Sequence, residues 1–237
     1  MSVMLVLAAP GTLGQDGRVS APTVVAVDLG GTSIKGARVG ADGRVLAEQR
    51  RSTPYGAAAV EALRALATEL VADDTVAIGV VSPGPVDEPA GIVRRAPNLG
   101  WRDMPLRALL ADALGLPVAL GHDLASAGRA EYAAHPRPDL LFVALGTGVA
   151  CTHLLDGVAQ RGATQAAGEL GHTVIRPGGE PCSCGNRGCL ETVMSGWGIE
   201  RAAGRSAAEV VAALGRDPVA DRVWRAATEG LGDALAL

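Results

Sequence analysis

Between Ala167 and Glu191 the chain reads A-G-E-L-G-H-T-V-I-R-P-G-G-E-P-C-S-C-G-N-R-G-C-L-E, which gathers Cys182, Cys184 and Cys189, three of its four cysteines, behind His172. Three soft thiolates and one imidazole are the ligand set of a closed tetrahedral structural zinc site, and the glycines between them let a short loop wrap an ion. Disulfides and free buried thiols are the plainer alternatives. The spacing argues against disulfides, because Cys182 and Cys184 are one residue apart and an odd cysteine would be left over. Cys151 stands alone after an apolar strand and reads as a small buried hydrophobe.

Glu169 and Glu191 flank the ligands, and closing the loop brings both towards one surface. Fixed carboxylates beside an imidazole suit the hydroxyls of a polyol, whereas two solvated glutamates are the plainer reading.

With 237 residues, 48% of them hydrophobic, the chain has core material for one large domain or two modest ones. A net charge of −4 gives no electrostatic case for nucleic acid, and no basic run suggests a membrane surface. Aromatic residues are 3% of the chain, so the core must be packed from small aliphatic side chains. Val3 to Ala9 is apolar, but no cationic residue precedes it and it is too short to span a bilayer. Met1 to Ala21 reads as a weakly ordered extension. Reduced, metal-bound cysteines fit a cytoplasmic protein.

Along the chain, the strand Thr23 to Val27 runs into Asp28-Leu29-Gly30-Gly31-Thr32-Ser33-Ile34-Lys35, followed by strands at Ile34 to Val39 and Arg44 to Glu48. Strand, glycine hairpin, strand is not the order of a P-loop or a dinucleotide fingerprint. An Asp at a strand end beside Gly-Gly-Thr suits hydrated magnesium while main-chain N–H groups approach phosphate; a simple glycine turn is the commoner explanation. Ala57 to Leu70 is an amphipathic helix, Thr75 to Val81 a strand that breaks at Ser82-Pro83-Gly84-Pro85, and Gly91 to Ala96 a short extended piece. Asn98 follows, suited to hydroxyl recognition and equally to a turn. Leu106 to Leu114 reads as a helix and Val118 to Leu120 as a strand delivering Gly121-His122-Asp123 into a further helix, Leu124 to Tyr132. Asp123 therefore lies where ligands bind in α/β sheets, although a helix N-cap is its commoner role. His135-Pro136-Arg137-Pro138 reads as a linker, and Leu140 to Leu145, Gly146-Thr147-Gly148 and Val149 to Leu155 repeat the glycine hairpin.

Taken together these stretches resemble the ROK family of sugar kinases and sugar-responsive repressors. The matching segments are Asp28 to Lys35, Ser82 to Asp87, Ala96 to Trp101, Asp123, Gly146 to Gly148 and Ala167 to Glu191. The resemblance implies a two-lobed α/β chain of the actin-like, hexokinase-like (ribonuclease H-like) ATPase fold, with an N-terminal lobe over residues 22–121 and a C-terminal lobe over 122–237 that carries the zinc loop. It implies a glucokinase-like enzyme that phosphorylates a hexose, glucose first, from ATP and Mg2+, with structural Zn2+. Asp123 would be the general base. Asn98, His122, Glu169, His172 and Glu191 would bind the sugar, and Asp28, Gly30, Gly31, Thr32, Lys35, Gly146, Thr147 and Gly148 would hold magnesium and phosphates. A homodimer is also implied.

Departures from the family are His122, where an Asn is usual, and Ala150 and Cys151, where glycines usually follow the second turn. The family also continues into a strand, a glycine-rich adenosine turn and closing helices that do not follow Leu237, so the second lobe reads as truncated. The alternatives are a kinase for N-acetylglucosamine or N-acetylmannosamine, and a sugar-sensing protein without turnover. The residues before Asp28 are too few for the three-helix DNA-binding module of the family's regulators.

Overall fold

The computed structural model describes residues 12–13, 19–163 and 167–236. Most of the expected extension, residues 1–11 and 14–18, lies outside them, as does Leu237. The chain forms two compact units, residues 1–136 and 137–237. The division falls inside His135–Pro138, so the helix that begins at Asp123 lies in the first unit.

In the first unit, β1 (Thr12–Leu13) pairs antiparallel with β2 (Val19–Ser20). The main sheet has β3 (Thr23–Leu29) at its centre, flanked by β4 (Ser33–Gly40) and β5 (Val45–Ser52) on one side and by β6 (Thr75–Ser82) on the other. The β3 sequence TVVAVDL is almost continuously apolar because both faces are covered; Val25, Val27 and Leu29 are fully buried. By contrast β5 is an edge strand, and its Glu48, Arg50 and Arg51 keep the open edge hydrated.

The helix α1 (Ala57–Leu70) has the bounds its periodicity predicts and buries Ala59, Leu63, Leu66, Ala67 and Leu70 against the sheet. The fit depends on Gly36 of β4, where a Cβ would lie 2.3 Å from Leu66 Cδ2 and 2.7 Å from Leu70 Cδ1. A small antiparallel sheet of β7 (Val86–Asp87), β8 (Ile92–Ala96) and β9 (Trp101–Met104) follows. Its last strand has no counterpart in the sequence reading, since W-R-D-M lacks alternation and is extended by pairing with β8.

The helix α2 (Leu106–Leu114) buries Leu106 and Leu110 and leads to β10 (Val118–His122), which pairs parallel with β6 at the sheet's far edge. Out of β10 comes α3 (Asp123–Ala134).

In the second unit β11 (Asp139–Leu145), β12 (Val149–Leu155) and β13 (Val158–Ala159) form an antiparallel sheet. The long loop that follows leads into α4 (Glu191–Met194), α5 (Gly196–Ala203), α6 (Ala207–Ala212) and α7 (Pro218–Leu235). Leu190, Met194, Ile199, Val210, Val223 and Ala227 make their shared core with Val149 of β12. A capping box opens α6: Ser206 Oγ accepts from the Glu209 N–H, and a Glu209 carboxylate oxygen accepts from the Ser206 N–H. The last helix begins at Pro218, because Asp217 caps it through the Val219 N–H and Pro218 suits its first turn. Among the described residues no helix is long and apolar enough to cross a membrane.

Candidate active site and metal centre

The parallel strands set the first group of residues in a row. Asp28 of β3 is level with Val81 of β6, and Val81 with Gly121 of β10, so Asp28, Ser82, His122 and Asp123 all lie at the carboxyl ends of the parallel strands. That end of an open α/β sheet is where ligands bind, because strands stop there and helix N-termini begin. Asp28 Oδ2 is 3.3 Å from Lys35 Nζ across the hairpin, since Asp28 and Lys35 are register partners. The turn between them is held at both ends: Gly30 N–H donates to the Ser33 carbonyl, Thr53 Oγ1 to the Gly30 carbonyl at 2.7 Å, and Thr53 N–H to the Thr32 carbonyl. Thr53 carries no motif and was not legible as part of this turn. The exposed Asn98 lies in the 3-10 turn Pro97–Leu99, and a Cβ on Gly31 would meet its Nδ2 at 2.5 Å, so turn and amide are in contact.

Asp123 is the first residue of α3 and does not cap it. His122 takes that place, its Nδ1 accepting from the Ala125 N–H at 3.4 Å, which corrects the N-cap reading of Asp123. Asp123 Oδ1 instead accepts from the Leu124 N–H at 2.6 Å and is 3.4 Å from His122 Nε2. Burial pushes the Asp123 carboxyl above the ordinary carboxylate range, His122 and the Leu124 N–H pull it down, and the charge of Asp28 adds to the rise. A half-buried carboxylate with a raised pKa, beside a second carboxylate at a strand-to-helix junction, is suited to taking a proton.

In the second unit, His172 ends a 3-10 turn, Leu170–His172, and the cysteines lie on a loop that folds back on itself. Val174 bridges to Cys189 and Pro181 to Arg187, and the N–H groups of Ile175 and Arg176 both donate to the Gly188 carbonyl at 3.0 Å. Gly188 has φ 79°, and a Cβ there would overlap the Arg176 carbonyl oxygen at 1.6 Å, so no other residue fits.

These crossings bring His172, Cys182, Cys184 and Cys189 together, with one donor atom from each all within 4.8 Å of one another. Cys184 and Cys189 Sγ are 3.7 Å apart, and Cys182 Sγ is 3.6 Å from His172 Nδ1. A tetrahedral ion with sulfur at about 2.3 Å requires an S···S edge of roughly 3.8 Å, whereas a disulfide requires about 2.05 Å. The donor set therefore fits a metal ion, and all the cysteines are free thiols. Desolvation and the neighbouring thiols push Cys189 up to about 12, so thiolates gathered here need a cation, while the Asn186 N–H draws Cys184 down.

His172 turns its other nitrogen, Nε2, towards Glu169 Oε2 at 3.7 Å, the arrangement by which carboxylates orient metal-bound imidazoles. Glu191, the first residue of α4, reaches a different partner: its Oε2 accepts from the Val149 N–H at 3.3 Å, just beyond Gly146-Thr147-Gly148. Gly196 N–H donates to the Gly146 carbonyl at 2.8 Å, so the second glycine turn is tied to the segment after the metal loop at both its ends.

The ROK family model matches residues 24–237. A glucokinase of Halalkalibacterium halodurans is 36% identical over 197 residues, a match covering 76% of this chain and 58% of that protein. An N-acetylmannosamine kinase of Citrobacter koseri is 36% identical over 189 residues, covering 76% of this chain and 64% of the other. This chain thus spans less than two thirds of those relatives. Among solved structures, a ROK family glucokinase from Streptomyces griseus in complex with glucose and AMPPNP is 30% identical with a TM-score of 0.74, the match covering 90% of this chain and 78% of that one. The mixed sheet with its helices and His/Cys cluster is thus the hexokinase-like fold of ROK structures, and with the family model matched from residue 24 to residue 237 this chain belongs to the ROK family.

Proposed function

We propose that this chain provides the sugar-binding and base-bearing part of an ATP-dependent hexose kinase, with glucose as the acceptor. The observation that carries the reading is Asp123: a carboxylate of raised pKa at the carboxyl end of the parallel strands, near Asp28 and the first glycine hairpin. Phosphoryl transfer asks a protein mainly for positioning and charge stabilisation, and this junction offers both. In the proposal Asp123 accepts the proton of the attacking sugar hydroxyl. Asn98, Glu169, His172 and Glu191 orient the other hydroxyls, and His122 stands behind the base. Main-chain groups at Gly30, Gly31, Thr32 and at Gly146, Thr147, Gly148 hold phosphate, with Lys35 and Asp28 beside them. Mg2+ bound with ATP would neutralise phosphate charge near Asp28. Zn2+ held by His172, Cys182, Cys184 and Cys189 would fix the loop that presents Glu169 and His172. Thiol ligands of this kind suit the reducing cytoplasm, and association into a dimer belongs to the same proposal.

N-acetylmannosamine is the second acceptor to test, because relatives named for that kinase are as similar as the glucokinases. The test is calorimetry with glucose, N-acetylmannosamine and a non-hydrolysable ATP analogue, together with a coupled phosphorylation assay. Both are run on this chain and on a version continued through the length its relatives span. Glucose binding and glucose-dependent ADP release are expected from the longer version. Absence of ADP release with every sugar tested would overturn the kinase reading, and would leave a sugar-sensing role only if sugar binding persists.

A further inference from the structure

Three elements remote in sequence converge behind the β10–α3 junction. Glu88 lies in the turn between β7 and β8, and only 20% of its side chain is exposed. Its Oε1 accepts from the His122 N–H at 3.4 Å. Arg129, on the next turns of α3 beyond Asp123, closes on the same carboxylate as a fork, Nη1 to Oε1 at 3.4 Å and Nη2 to Oε2 at 3.5 Å. The turn itself is pinned from α2: Arg107 Nη1 donates to the Glu88 carbonyl at 3.0 Å and Nη2 to the Pro89 carbonyl at 2.7 Å.

We propose that Glu88 and Arg129 form a clasp that positions Asp123, by fixing the main chain of His122 where β10 turns into α3. The inference rests on the reading of Asp123 as the base.

The geometry explains why an ion pair is used here. An exposed salt bridge contributes little on its own, but this one also supplies an acceptor to the residue that precedes the base. His122 is thereby held twice: its main-chain N–H by Glu88, and its ring by the Ala125 N–H at Nδ1. With Nδ1 accepting, the neutral ring carries its proton on Nε2, the nitrogen that faces Asp123 Oδ1 at 3.4 Å. Main chain, ring and carboxylate thus form one chain of contacts that starts at Glu88. Arg129 adds helix rotation to the set, since sliding or turning α3 would break its fork. Glu88 and Arg129 are positioning residues, because they act on the reaction only through His122 and Asp123.

The experiment compares Glu88→Ala, Glu88→Gln and Arg129→Met by amide hydrogen exchange and by glucose phosphorylation kinetics. In Glu88→Ala, exchange at His122, Leu124 and Ala125 should rise about tenfold, the scale of one lost hydrogen bond. The kcat should fall by roughly 10- to 100-fold, as misplacement by about an ångström does, with KM for glucose changed by less than about twofold. Glu88→Gln keeps an acceptor for the His122 N–H and should retain most of the protection and most of kcat. Arg129→Met should fall between the two, and it serves as the test if Glu88→Ala does not fold. Unaltered exchange at residues 122–125 in Glu88→Ala overturns the clasp, as does an equal loss in the Ala and Gln variants. A wild type without turnover would sink the kinase reading alone, because the exchange pattern decides for or against the clasp independently of activity.

Discussion

The strand-end site of the first unit and the cysteine loop of the second hold their candidate functional side chains by opposite means. Asp28, His122 and Asp123 are placed by regular structure: parallel ladders align the strand ends, and α1 packs the sheet from behind. His172 and the cysteines are placed by a loop with two isolated bridges and one short turn, whose donors converge on a common centre. The first arrangement is complete without a ligand, whereas the second crowds three thiols that need an ion between them. The same task, fixing polar groups to within a fraction of an ångström, is done by burial in one place and, in the proposed zinc centre, by coordination in the other.

Removing the ion should separate the two most. Purified protein is expected to carry one zinc per chain, and Cys184→Ser or chelation should abolish it. Metal contributes on the order of 10 kcal/mol in small zinc domains, so exchange should become fast across residues 172–190 while β3, β6 and β10 stay protected. Protein without stoichiometric metal and with freely titrating thiols would remove the comparison altogether.

The converse cut is Leu63→Ala, at a fully buried position of the first unit's core. It should cost about 2–5 kcal/mol of stability and leave the zinc content unchanged, as read by denaturant unfolding and elemental analysis. Metal loss in this variant would show that the two arrangements are not independent.

Asp123→Asn should lower turnover by a factor of at least about 100 with a smaller effect on sugar binding. Since His122 holds the cap, melting should change little. Unchanged turnover would take Asp123 out of the mechanism, and a large drop in melting temperature would return it to a structural role.

Ser206→Ala is the smallest expected effect, about 1 kcal/mol. The Ser206 hydroxyl and N–H hold the Glu209 carboxyl below its ordinary 4.5. A depressed carboxyl stabilises above its unfolded pKa and loses that contribution as pH falls through the folded one. The gap in melting temperature between wild type and Ser206→Ala should therefore narrow below about pH 4.5. A gap that widens in acid would mean that the box is not what the substitution removes.

The elements that were legible are those whose pattern matches one period over many residues. The bounds of α1, α2 and β12 agree with the sequence because Leu63, Leu66 and Leu70, Leu106 and Leu110, or for β12 the glycine-containing turns Gly146-Thr147-Gly148 and Asp156-Gly157 on either side, leave one solution. The His/Cys cluster was legible as a candidate metal site because cysteine and histidine in close sequence have few other uses. The capping of α3 was misread because Asp is the stronger cap by type, while the chain enters the helix one residue earlier and offers a ring nitrogen instead. Glu88 and Arg129 had no signal at all, since 41 residues separate them and neither breaks a pattern.

The packing of α1 over Gly36 has an evolutionary side. The strand has given up its side chain at that point, and Leu66 and Leu70 occupy the volume. Neither partner is then free to drift alone: a methyl group on the strand collides with the leucines, and a shorter residue on the helix leaves a hole over bare backbone. Paired in one gene, such changes can cancel, because neighbours that share a cavity do not act additively. Substitutions at residue 36 and at residues 66 and 70 should therefore be inherited together, as a single character of the lineage.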